Sequence, residues 1–280
     1  MRQRSNASVR APALLAVAAL VALLSSSPAL AEGGLYQGRF VTSGTSEDRR
    51  MPGFVACLGD VLVKASGDAG LLHDPRVDAL KQHADTYVAS FSYRDLYTGI
   101  PLHDEQGSYD RPHYLTVDFD PAKIDTALAG LGLKPWTAER PKLAVFLGVQ
   151  RYDKRYVVTG DDPRDKAMNE AMAAAASRFG LSAGFPPATV IGGLDYAALA
   201  KDDNLPALAA AAGATLPLTG TLMWSDQEHG WIADWWLTAD GHPHHWQIRG
   251  VNFDDAFRNA ILGADQVLSG NGEPGDNLLP

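Results

Sequence analysis

The chain has 280 residues, 46% apolar and 20% charged, the balance of an ordinary globular protein. Its formal net charge of −9 argues against nucleic acid and anionic membrane surfaces as partners, since both are held by basic patches. A single cysteine, Cys57, excludes an intramolecular disulfide, and its place beside the apolar stripe of a helix reads as a buried, inert thiol.

Residues 1–31 read as a secretory leader. Arg2, Arg4 and Arg10 make a basic start, ALLAVAALVALL (13–24) is an uninterrupted apolar run, and Ala29 and Ala31 occupy the small-residue positions of an A-x-A cleavage site. That run is too short to cross a bilayer, which takes about twenty residues. No cysteine near the cleavage point could carry a lipid anchor, and no later run is long enough for a transmembrane helix. The mature chain, from near Glu32, is expected to be periplasmic or secreted. Losing three arginines leaves 21 basic against 33 acidic residues, formally −12.

In chain order, LYQGRFVTS (35–43) predicts a strand. Met51, Phe54, Val55, Leu58, Val61, Leu62 and Ala65 recur at spacings of three and four, one face of a helix, which Ser66-Gly67-Asp68 closes. Pro52-Gly53 leaves its start open between Ser46 and Pro52. Residues 74–96 predict a second helix running into an extended segment, and 97–112, rich in Gly, Pro, Asp and Ser, a loop. HYLTVDFD (113–120) alternates as a half-buried strand, and a helix follows with Pro121 in its first turn. KPWTAERP (134–141) is the boundary between two halves.

The second half opens on KLAVFLGVQ (142–150), a continuous apolar run that suits a strand covered on both faces. Residues 161–180 predict a helix with Asp162 as its cap, Pro163 in its first turn and Gly180 at its end. A short strand at 187–193 and helical segments at 195–201 and 205–213 come next. Three strands in a row, 216–224, 231–239 and 244–250, precede a last helix at 252–268. Residues 270–280 show no periodicity and are expected to be disordered. The expected fold is α/β (α+β), a mixed sheet with helices packed on it. It divides into a leader (1–31), an amino-terminal sub-domain (32–139), a carboxy-terminal sub-domain (140–269) of order β-α-β-α-β-β-β-α, and a tail (270–280).

No cofactor is implied: G-x-S-x-G, glycine-rich phosphate or dinucleotide loops, H-E-x-x-H and C-x-x-C are all missing. Three weaker features remain. Asp118 and Asp120 share one face of a strand end and could hold a cation or a proton, but Asp120 before Pro121 is also the arrangement of a helix cap. RYDKRY (151–156) gathers Arg151, Lys154 and Arg155 at a strand end, either as an anion site or as a solvated sheet edge. The third is GWIADWWLTADGHPHHWQIRG (230–250). His242 and His244, with His229 or Asp240, could supply three zinc ligands. The alternation instead predicts two strands around an Asp240-Gly241 turn that contains His242. Trp231, Trp235 and Trp246 then face the core, whereas Trp236 lies on the other face with Asp234 and Thr238, buried or as part of a surface for a glycan, peptide or protein.

LYQGRFVTS, the helix end LGDVLVKASGD, RPKLAVFLGV and the Trp-rich hairpin together resemble a bacterial envelope family catalogued as domain of unknown function 2066. The meander with its last helix is more loosely similar to the TolB amino-terminal and FlgT-like envelope modules. The resemblance implies assembly or interaction work and transfers no catalytic residue. The expected function is therefore non-catalytic binding of an envelope protein or glycan. Trp236, Asp234, Arg151 and Arg155 are the candidate binding residues; the alternative is a metal-binding protein or metal-dependent enzyme using the 229–245 histidines, and a second is a glycan or small-ligand binder at the Trp-rich hairpin.

Overall fold

Two β-sheets organise the chain into an α+β fold. The computed structural model describes residues 32–99, 111–197, 199, 202–275 and 278–279. The leader, most of the loop expected over 97–112 and part of the segment 195–201 lie outside the described residues. After a single turn α1 (Glu32–Leu35), the first half runs β1 (Gln37–Ser43), α2 (Glu47–Ser66), α3 (Pro75–Lys81), β2 (Val88–Asp95), β3 (Pro112–Phe119) and α4 (Pro121–Gly130). β3 is the central strand of an antiparallel sheet of order β1-β3-β2.

Helix α2 starts at the earlier of its two possible points, with Ser46 as its N-cap residue and Pro52 inside the helix. The proline is the sixth helical residue, past the first turn, so α2 forgoes the bond that an N–H there would make to the Asp48 carbonyl and is held by its buried face instead. Gly53 has a second use: a β-carbon there would lie 2.6 Å from Leu115, so glycine lets α2 settle onto the sheet. Phe54, Cys57, Leu58, Val61, Leu62 and Ala65 are all buried against it.

The second half contains β4 (Lys142–Arg151), β5 (Lys154–Val157), α5 (Lys166–Phe179), β6 (Ser182–Gly184), α6 (Ala188–Ile191), α7 (Leu205–Ala211), β7 (Leu216–Ser225), β8 (Gly230–Ala239), β9 (His242–Val251) and α8 (Phe253–Leu268). Its sheet has the order β5-β4-β7-β8-β9, with β6 added parallel to the start of β4. β4 and β7 pair in parallel and the rest of that path is antiparallel. β4 is buried from Leu143 to Val149, as its unbroken apolar run requires.

Three local expectations change. Residues 187–193 hold the short helix α6 rather than a strand, and the strand lies earlier, at β6. Asp162 caps a 3-10 turn at Pro163–Asp165, accepting from the Arg164 amide at 2.8 Å, and α5 begins only at Lys166. RYDKRY forms a hairpin into β5, with Tyr152 at φ 56° in its turn.

Helices α5 and α8 pack on one face of the larger sheet, and α2 meets α5, so one apolar core runs through both halves. The junction is polar at its edge. The carbonyls that end α2 have no partners within the helix, and the boundary segment 134–141 and the second half supply them. Arg140 donates to the Lys64 oxygen, the Trp136 amide to Ala65 (2.7 Å), Asn271 Nδ2 to Ser66 (2.9 Å) and Ser269 Oγ to Gly67 (3.1 Å). The tail thus departs from the disorder expected of it. Asn271 holds the end of α2, Leu278 and Leu279 pack on the core, and the Leu278 carbonyl accepts from Asn259 Nδ2 at 3.1 Å. Its low periodicity reflects anchoring by single residues, not by a repeating face.

Candidate functional site

The hairpin β8–β9 turns at Asp240 (φ 49°) and Gly241 (φ 78°), the two left-handed residues that a tight primed turn requires. Because side chains alternate across a strand, the register gives each face its own character. On the inner face Trp235 pairs with Trp246 and Ala233 with Ile248, all buried under α8. Trp231 shares that face but is only half-buried, with its ring edge-on to Trp224 at 5.4 Å.

The outer face carries the candidate site. One row across the sheet runs Gly148, Thr221, Asp234, Gln247, and the next runs Phe146, Thr219, Trp236, His245. Trp236, half-buried, stacks on the exposed His245 with ring centres 5.0 Å apart and planes 29° from parallel. Asp234 Oδ1 lies 3.0 Å from His245 Nε2 and accepts from Gln247 Nε2 at 2.7 Å. An acceptor-only carboxylate in that place directs the imidazole proton at Nε2 toward itself and leaves Nδ1 for another partner. Arg249 extends the row along β9, donating to Gln247 Oε1 and facing Glu228 at 3.5 Å.

On β4 the absence of a side chain at Gly148 makes room for the ring of Tyr196, since a β-carbon there would lie 2.7 Å from it. Burial raises the Tyr196 hydroxyl pKa, the guanidinium of Arg155 opposes that shift, and Asp234 adds to it. Arg155 lies 5.4 Å from the Tyr196 ring and donates through Nε to Gln150 Oε1 at 3.0 Å. Beside these two residues opens a cleft of about 460 Å³, lined also by Tyr156, Thr159, Ile191 and Asp195. Helix α7 and Leu199 cover this side of β4 and β7 around Phe146. Over β8 and β9 the face stays accessible at Trp236, Asp234, His245, Gln247 and Arg249.

Three of the four proposed binding residues therefore share one face: Trp236, Asp234 and Arg155. Arg151 does not. It lies one residue out of step on β4, on the opposite side, over the rings of Trp224 and Tyr152. His245, Gln247 and Arg249 were legible by parity, since alternation puts them opposite the buried Trp246. Tyr196 was not, because it comes from a turn whose position is set by packing.

The histidines separate. His242 is the first residue of β9, paired with Ala239, so it belongs to the strand rather than to the turn and shares a face with His244. His244 Nδ1 is held between the carboxylate oxygens of Glu273, at 3.0 and 2.9 Å. His229 sits before β8, at its far end from Asp240, roughly 30 Å away along ten residues of strand. Among the described residues no group of three or more His, Cys, Asp or Glu is placed to hold a metal.

The Asp118–Asp120 pair resolves into two structural roles. Asp120 caps α4, accepting from the amides of Ala122 (2.9 Å) and Lys123 (3.4 Å). Asp118 accepts from Gln37 Nε2 (2.7 Å) and Ser90 Oγ (3.0 Å). Asp120→Ala is expected to cost about 1 kcal/mol in urea unfolding, the usual worth of a cap. No loss would mean that the two amides find water equally well.

A buried ionic cluster at the joint between the halves has no signature in the residue spacing. Arg178 grips Asp60 through two bonds of 2.7 and 2.8 Å. Lys64 donates to the carbonyls of Gly34 (3.3 Å) and Gln37 (2.7 Å), and burial pulls its pKa down to about 8 against the opposing pull of Asp60. Cys57 is buried beside this cluster, and desolvation pushes its thiol up to about 12, the opposite of a nucleophile. Lys64 and Arg140 belong to the two stretches, LVKASGD and RP, that most marked the resemblance above. Arg140 joins α2 to the second half, and Lys64 ties α2 to α1 and β1 within the first.

A family model described as a domain of unknown function, DUF8605, matches residues 29–137, the stretch that holds the three-stranded sheet and helices α1 to α4. It is a different family from the one that the sequence resembles. No curated protein and no solved structure matches the chain.

Proposed function

We propose that the chain is an exported, non-catalytic binding module of the bacterial envelope that recognises its partner through the outer face of β8 and β9. The observation that carries this reading is Trp236 stacked on the exposed His245, beside the Asp234–Gln247 pair. A flat aromatic surface edged by a carboxylate, an amide and a guanidinium suits recognition better than a closed reaction site does. The leader-like start supports export, and the resemblance to envelope proteins supports assembly or interaction work.

A photo-crosslinking residue at His245 is expected to capture one envelope component in living cells, and the same residue at Glu170, exposed on α5, is not. Trp236→Ala should abolish the adduct with little loss of folding stability, because the indole lies outside both apolar cores. Equal adducts from both positions, or unfolding of Trp236→Ala, would sink the proposal. The same mosaic of ring, carboxylate and amide also favours a sugar. An adduct that is removed by glycosidases rather than by proteases would assign the partner to a glycan.

A further inference from the structure

A second surface lies at the other end of the molecule, on the side of the three-stranded sheet that α2 does not cover. Alternation puts Arg39, Val41, Ser90, Ser92, Arg94, Tyr114 and Thr116 on this side, opposite the buried Leu115 and Val117. The Arg39 and Arg94 guanidiniums lie 5.5 and 4.8 Å from the Tyr114 ring. Both arginines are exposed, and neither has a carboxylate partner among the described residues. Of the acids nearby, Asp95 pairs with Arg111 at 3.0 Å, and Asp118, on this face but four residues along β3 from Tyr114, accepts from the neutral Gln37 and Ser90.

Exposed apolar side chains collect in the same region. Among the described residues six large hydrophobic side chains are exposed, and three of them, Val41, Leu96 and Tyr97, lie on this face or in the turn after β2, whereas Phe91 points to the α2 side with its ring 5.4 Å from Phe54. Thr42 and Asp95 both pair with His113, so Val41, Arg94, Leu96 and Tyr97 meet at one end of the sheet. Net charge averages over the surface and hides this end. A soluble polyanion would use the two guanidiniums but gain nothing from Val41 (51% exposed) and Leu96 (37%). The headgroup zone of a bilayer rewards both kinds of group, together with a tyrosine at the boundary.

We propose that this sheet face docks the protein on an anionic lipid surface. Arg39 and Arg94 face the headgroups, Val41 and Leu96 enter the interface, and the β8–β9 face stays free for its partner. This contact is independent of the binding reading given above. No described helix is long and apolar enough to cross a membrane, so the attachment is peripheral.

The test uses the chain from Glu32 onward, which holds every described residue, floated with vesicles of phosphatidylglycerol mixed into phosphatidylcholine or of phosphatidylcholine alone. Binding is expected only with the anionic lipid and should weaken steeply with salt. The double variant Arg39→Gln/Arg94→Gln should bind roughly 30-fold more weakly, about fivefold for each cation near the surface. Val41→Ser/Leu96→Ser should also weaken it several-fold, and Trp236→Ala should leave it unchanged. All of these positions are exposed or half-buried, so circular dichroism melting should show each variant folded. Failure to bind anionic vesicles, or binding that the double arginine variant leaves intact, would overturn the proposal. So would equal binding to soluble polygalacturonate together with no effect of Val41→Ser/Leu96→Ser, which would mark a site for an anionic polymer.

Discussion

Replacing Trp246 with alanine is expected to cost about 3–5 kcal/mol of folding stability, the range for deleting a fully buried large aromatic side chain. The indole is inaccessible to solvent, donates through Nε1 to the Asn259 carbonyl at 3.1 Å, and rests on Gly263 of α8. A β-carbon at Gly263 would lie 2.2 Å from the indole, so α8 and the ring fit together with no slack for the helix to fill a cavity. Trp246→Ala therefore loses packing and the indole's bond to the Asn259 carbonyl, and leaves a void. Urea unfolding followed by circular dichroism checks it. The contrast with Trp236→Ala, ten residues away on the neighbouring strand, is the sharper measurement. A similar loss for both would mean that the outer face is as much a core as the inner one.

Arg140→Ala is expected to be comparably damaging, by about 3–5 kcal/mol, because two buried carbonyls lose their donor, at roughly 1–3 kcal/mol each, and the Trp136 ring loses its cover. Arg140 donates to the carbonyls of Phe179 (3.1 Å) and Lys64, covers the Trp136 ring at 4.1 Å, and faces Asp265 at 3.9 Å. Lysine cannot span two carbonyls with a rigid fork, so Arg140→Lys should recover only part of the loss. Asp265 adds a pH signature. It is fully buried, neither of its carboxylate oxygens makes a hydrogen bond, and burial lifts its pKa well above the ordinary 3.8, with Arg140 and Lys64 pulling the other way. A carboxyl whose pKa is higher in the folded state keeps a proton that the unfolded chain has released. Its contribution is complete below pH 3.8 and is lost as pH rises toward the folded value, by up to about 1.4 kcal/mol per pH unit. Asp265→Asn should then be more stable than the parent at pH 7 and show a flatter profile as pH rises above 3.8. Parallel profiles would mean that Arg140 and Lys64 keep the carboxylate ionised throughout.

The α+β class and most elements were readable because they rest on local periodicity. Helix α2 buries the residues that its three-and-four spacing selects, and β4 buries its unbroken apolar run. Of the three tryptophans predicted inward by alternation, Trp235 and Trp246 are fully buried and Trp231 is half-buried, and Trp236 lies opposite them. Local signals failed where a neighbour decided. The segment 187–193 has strand-like composition but no free strand to pair with there, and it folds as α6. Arg151 and Arg155 look equivalent in RYDKRY, but the hairpin register sends them to opposite faces.

The same division holds for the candidate surfaces. Alternation within a single strand determined which side chains accompany Trp236 and which accompany Tyr114, because successive residues of a strand must point to opposite sides. Only the tertiary structure decided that Tyr196 lies over Gly148 beside Asp234, that Glu273 engages His244, and that the ends of α2 and α8 share a buried ionic cluster. These are meetings of residues far apart in the chain, set by how helices and sheets pack, and no spacing in the sequence records them.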